Sequence, residues 1–282
     1  MKLILTYGLL MISMIFMWID SSVQNKIKLK YIFLIITSFM GLYYNLINIA
    51  GFILVFVMII ILLKKQYVPN NYLLWSFIFI LSILLFLHKF PGFNNYKAVS
   101  ARVISKQGLP YTMYLNFDKA LVGFFILSYY NDFALKLKEW KQILNTVIRA
   151  GFFTIIVVII LSLFFEYVKF DFKLVSFLPL WMVVNLLFVC LPEEAFFRKF
   201  IQGNLSNILK FPGGQRLAVL IAALIFGLGH FAGGFKYIIL STIAGLGYGY
   251  AFKKTGKIEA SILIHFLLNL IHFIFLTYPA LR

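Results

Sequence analysis

Apolar runs recur along the whole chain, separated by short polar or basic stretches. They occupy 3–19, 31–49, 51–63, 71–87, 119–131, 147–165, 174–192, 217–231, 237–252 and 258–278. A helix needs roughly 20 apolar residues to cross the hydrocarbon layer. The short runs 51–63 and 119–131 therefore predict re-entrant, interfacial or broken helices, and the total is eight to ten. This pattern predicts an all-α, polytopic integral membrane protein. The first run begins after Lys2 like a signal-peptide core. It ends in Trp18, Ile19 and Asp20 without a small-residue cleavage site, which predicts a retained helix. Between 88 and 118 the chain turns polar, and Pro91, Gly92, Asn94, Asn95, Gly108 and Pro110 break any helix. That loop divides an amino-terminal membrane region, residues 1–140, whose role is open, from a carboxy-terminal one, residues 147–278.

Composition sharpens the class. Of the 282 residues 62% are apolar and 12% charged, against about half and a quarter in soluble domains. A single anchor with a soluble head, disorder and a disulfide scaffold are excluded, and the lone Cys190 makes no internal bridge. The formal charge of +17 would suggest nucleic acid in a soluble protein. Here the cations fall between apolar runs, so they read as topology signals and contacts to the lipid bilayer, with no nucleic-acid partner. Segments 135–146, 193–216 and 253–257 hold ten Lys and Arg, and segments 166–173, 232–236 and 279–282 hold four. The richer set is expected to face the cytoplasm. No internal repeat is visible, which disfavours a transporter.

Glycine is uneven: eleven of eighteen lie between Gly203 and Gly256, which predicts a tightly packed carboxy-terminal bundle. Three polar clusters fall on it. In Pro192-Glu193-Glu194-Ala195-Phe196-Phe197-Arg198, the proline predicts a helix start or kink, with both acids in the first turn. Glu194 and Arg198, four apart, share a face and pair. Glu193 points elsewhere and is the candidate base for activating water. Taken alone, the two acids would read as a helix cap at the interface. The second cluster is Phe226-Gly227-Leu228-Gly229-His230. The third places His265 and Asn269 on one helical face, with His272 on the same stripe. A lone buried histidine usually bonds a neighbouring backbone. Together the clusters supply a base, a partner for attacking water and oxyanion donors, the needs of acyl hydrolysis.

Other chemistries fit less well. There is no His-Glu-x-x-His pair and no Gly-x-Ser-x-Gly elbow. Cys190 reads as buried packing and His88 as interfacial. Glycines 245, 247 and 249 follow no strand, so they are helix packing rather than a nucleotide loop.

At these residues the sequence resembles the CAAX-protease and bacteriocin-processing (CPBP, or Abi) family, whose eukaryotic members are the Ras-converting CAAX endopeptidases. The family pattern Glu-Glu-x-x-x-Arg, Phe-x-x-x-His and His-x-x-x-Asn is met by Glu193, Glu194 and Arg198, by Phe226 and His230, and by His265 and Asn269. The resemblance covers about 147–278. It implies that Glu193 and His230 activate water, that His265 and Asn269 bind the oxyanion, and that Glu194 and Arg198 support them. Two His and a Glu could hold Zn²⁺. An Asn, a poor zinc ligand but a suitable oxyanion donor, favours a reading in which no cofactor is required. His272, outside the pattern, reads as a supporting hydrogen bond.

The sequence thus predicts an intramembrane endopeptidase, a hydrolase of a bacterial cytoplasmic membrane. It would cut a membrane-embedded, lipidated or apolar-tailed protein or peptide near the cytoplasmic face. The alternatives are a non-catalytic scaffold or bacteriocin-immunity protein of the same fold, and a transporter with an intramembrane proton relay.

Overall fold

A computed structural model describes residues 2–23, 28–67 and 72–282. It holds ten helices among these residues: α1 (Lys2–Ser22), α2 (Leu29–Tyr43), α3 (Ile49–Leu63), α4 (Tyr72–Phe86), α5 (Phe117–Tyr130), α6 (Leu137–Phe164), α7 (Leu178–Ile208), α8 (Gly214–Leu228), α9 (Gly234–Thr255) and α10 (Ile258–Phe275). Each apolar run becomes one helix, and the protein is an all-α, multi-pass membrane protein. Residue 71, the start expected for the fourth run, lies outside the described residues. Leu5–Ser22, α6, α7 and α10 are long and apolar enough to cross a membrane, and α8 with Phe231–Thr255 is an apolar pair bent by 56°, the geometry of a broken span or a re-entrant loop. The helices α2, α3 and α4 are 15 residues each, about 22 Å.

Local chemistry sets the helix ends. The Asn48 side chain accepts from the amides of Ala50 and Gly51, which starts α3. α9 stops at Gly256, whose φ of +69° suits glycine.

The chain divides into two compact units. The first comprises 1–97, 114–132 and 187–192. Within it α5 is buried along nearly its whole length and packs against α1, α3 and α4. It is an internal helix, as its unbroken apolar run Ala120–Leu127 requires. His88, read as interfacial, bonds the buried Asp118 at 2.7 Å, with Asn95 donating to the same carboxylate.

The second unit comprises 98–113, 133–186 and 193–282. Its aromatic residues Tyr111, Phe177, Trp181, Phe273 and Tyr278 interlock, with Trp181 stacked on Phe273 at 4.2 Å. The polar loop holds a two-stranded sheet, β1 (Tyr96–Arg102) with β2 (Tyr111–Leu115). Its β-branched and aromatic residues, absent from the helix-and-loop expectation, support pairing.

Two expectations about helix bounds are corrected. α6 begins at Leu137, ten residues before the expected start, because its first turns are amphipathic rather than apolar. α7 runs unbroken through Pro192, with π turns at Asn185–Cys190 and Ala195–Gln202. A π turn pairs carbonyls with amides five residues on, so the helix accommodates a residue without an N–H.

α8 and α9 pack most intimately. A Cβ at Gly227 would lie 1.9 Å from Thr242 Oγ1 and 2.8 Å from the Ile238 carbonyl. Gly227→Val should therefore overpack this contact by about 1–3 kcal/mol and lower the melting temperature in detergent by several degrees. Gly8→Ala, at a position with nothing within 4 Å, should leave it unchanged.

Candidate active site

The two carboxylates sit at the middle of α7, a 31-residue helix, rather than in a first turn. They are buried inside the bundle, with Glu194 and Arg198 fully inaccessible and Glu193 at 7% exposure. A charge at such a site persists only where it is paired. Arg198 Nε donates to Glu194 Oε2 at 3.0 Å, the i, i+4 contact that the spacing requires. The guanidinium also lies over Phe226 and Tyr248, 5.1 and 5.9 Å from their ring centroids. Glycine makes room for it: a Cβ at Gly245 would lie 3.3 Å from Arg198 Nη2. The glycines at 245 and 249 on α9 thus serve packing.

The other oxygen of Glu194 faces α10. His265 Nδ1 lies 2.9 Å from Glu194 Oε1. A carboxylate oxygen accepts, so Nδ1 is the donor, and the ring orientation is set. Tyr248 stacks on the same imidazole at 4.7 Å and 16°. The remaining nitrogen, Nε2, is 4.0 Å from Glu193 Oε2. One buried carboxylate therefore links α7 to α10, and the second lies beside the free edge of the histidine it holds.

His230 comes from the break between α8 and α9, where the two helices bend by 56°. Its Nδ1 is 2.7 Å from the Phe226 carbonyl. A carbonyl accepts, so Nδ1 is the donor in this contact. Phe226 packs edge-on against His265 at 5.8 Å and tilted against His230 at 4.6 Å, so it spaces the two imidazoles. His230, His265 and Asn269 line one cavity of about 60 Å³, room for a few water molecules at ~15 Å³ each. Glu193 is not among its lining residues; its carboxylate lies beside the cavity, 4.0 Å from His265 Nε2.

Asn269 Nδ2 is 3.3 Å from Asn185 Oδ1 on α7. His272 also lines the cavity, its Nε2 bonded to the Thr277 carbonyl at 3.1 Å. Three participants escaped the sequence reading. Asn185 was visible as an amide inside an apolar run. Tyr237, edge-on to His230 at 5.3 Å, and Tyr248 looked like ordinary aromatic residues. Tyr167 stacks on Tyr237 at 5.4 Å and 8°, and burial pushes the Tyr167 hydroxyl above its usual value, so the cavity wall there is a neutral phenol.

The cavity extends from His265, midway along α10, to Leu276 just past its end, with Tyr167 and Val168 beside it. It therefore runs away from the end of the bundle that carries Lys253, Lys254 and Lys257. Zinc would need three or four ligands at about 2 Å. Among the described residues no three His, Cys, Asp or Glu side chains are grouped to hold a metal.

Arg198→Ala should destabilise the protein by about 3–5 kcal/mol, because it strands the Glu194 charge. Glu194→Gln in the same chain should recover part of that loss. Thermal unfolding of the single and double variants in detergent measures both effects.

Residues 174–271 match the family model described as type II CAAX prenyl endopeptidase Rce1-like. No curated protein and no solved structure matches the chain. The matched segment is roughly a third of the chain and contains Glu193, Glu194, Arg198, Phe226, His230, His265 and Asn269. Residues 174–271 of this polytopic membrane protein are thus similar to the Rce1-like type II CAAX prenyl endopeptidases.

Proposed function

We propose that the protein is an intramembrane endopeptidase of a bacterial cytoplasmic membrane. It hydrolyses a peptide bond of a membrane-embedded, lipidated or apolar-tailed protein or peptide. The observation that carries this reading is the convergence of His230, His265 and Asn269 on one small cavity, with Glu193 4.0 Å from His265.

In this reading a water molecule in the cavity hydrogen-bonds to His230 Nε2 and gives its proton to the Glu193 carboxylate. The hydroxide formed attacks the scissile carbonyl carbon. The resulting oxyanion accepts from Asn269 Nδ2 and from His265 Nε2. The proton on Glu193 then passes to the amide nitrogen as the C–N bond breaks, and the carboxylate is restored. Glu194 and Arg198 act one step back, by holding His265. The low-dielectric surroundings strengthen each of these contacts. No cofactor is required in this scheme.

Glu193→Ala, His230→Ala and His265→Ala should each abolish cleavage of an apolar-tailed reporter in membranes. Asn269→Ala should lower turnover by about 10²–10³, and Asn185→Ala should lower it less. Melting temperatures run alongside separate lost chemistry from lost fold. Undiminished cleavage by the Glu193 variant would overturn the mechanism.

Exhaustive chelation should leave reporter cleavage intact, and the purified active protein should hold less than stoichiometric zinc by elemental analysis. Activity lost on chelation and restored by zinc alone would reverse the metal-free assignment.

A further inference from the structure

α6 and α9 enclose a second hollow, on the opposite side of α9 from the catalytic cavity. It is a groove of about 700 Å³ whose walls include Phe153 and Val157 of α6 and Ile243 and Leu246 of α9. None of its lining residues lines the catalytic cavity. The floor is narrow because Gly247 lets Thr154 approach: a Cβ there would lie 2.2 Å from Thr154 Oγ1.

The mouth of the groove carries two cations. Arg149 and Lys254 both line it and are exposed, and neither side chain makes an ion pair or hydrogen bond among the described residues. They lie at the same end of the bundle. Gln142 Nε2 donates to the Lys254 carbonyl at 3.0 Å, and Lys257 pairs with Glu139 at 3.2 Å, so the start of α6 meets the end of α9. Arg149 lies inside the apolar run 147–165. A π turn at Val147–Gly151 shifts the helical register where Arg149 sits. A cation within a span needs a counter-charge or a route to the headgroups.

We propose that this groove binds an anionic glycerophospholipid. Its phosphate sits between Arg149 and Lys254, and one acyl chain runs along Phe153, Val157, Ile243 and Leu246. Two free cations above an apolar trough complement a molecule that is anionic at one end and hydrocarbon along the rest. A peptide would leave its backbone polar groups unsatisfied against such walls.

Native mass spectrometry of the full-length protein, released from detergent with phosphatidylglycerol or phosphatidylcholine, tests this. Wild type should retain phosphatidylglycerol in preference to phosphatidylcholine. The double variant Arg149→Gln/Lys254→Gln should weaken that retention by about thirtyfold. Ala150→Phe, which fills the groove, should also lose it. Lys138→Gln/Lys141→Gln, exposed on the same helix but outside the groove, should retain it, and a folded state is verified for each variant by its melting temperature. Equal retention of the two lipids by wild type, or unchanged retention in the Arg149/Lys254 variant, would overturn the proposal. So would retention that survives Ala150→Phe, which would mean a surface charge patch. Stabilisation by inorganic phosphate equal to that by phosphatidylglycerol would mean a simple anion site and overturn the lipid.

Discussion

The active-site geometry depends on one buried carboxylate. Glu194 accepts from Arg198 with one oxygen and from His265 with the other, and so fixes α7 against α10. An unpaired carboxylate in this setting would cost several kcal/mol. Both partners are therefore required, and both are held: Arg198 by the rings of Phe226 and Tyr248, His265 by the stacked face of Tyr248. Tyr248 touches both ends of the network, which makes an apparently ordinary aromatic residue part of its frame.

Small residues make the network possible. Within a bilayer, helices gain little from burying apolar surface against each other, so close backbone approach and internal polar contacts carry the association. The glycines of α9 let the helix lie directly on the Arg198 side chain, and Gly227 lets α8 lie on Thr242. Tight packing excludes bulk water and leaves a cavity of molecular dimensions around the histidines. Burial, charge pairing and glycine content are thus one arrangement seen from three sides.

Much of this was legible in the chain. Ten apolar runs correspond to ten helices, because the hydrocarbon layer imposes length and composition directly on sequence. Glu194 and Arg198 meet because four residues make one helical turn, whatever the tertiary fold. The misreadings share a different origin. Pro192 looked like a helix start or kink, and π turns on either side let α7 pass through it; such turns leave no compositional mark. Asn185 and Arg149 were polar groups in apolar runs, visible by the rule that singled out His265 but not close enough to a motif to draw notice. The pairing of His88 with Asp118 spans thirty residues and depends on tertiary placement alone.

His230 differs from the other polar groups in standing on a joint. The α8–α9 pair changes direction by 56° at the segment that carries it, and its ring is tied by Nδ1 to α8, while Tyr237 on α9 presses against its edge. Flexing at that elbow would swing the imidazole relative to the rigid α7–α10 framework. Misplacement by about 1 Å is enough to slow a reaction of this kind a hundredfold. In the proposed mechanism, a change in that bend would alter the rate without touching a buried charge.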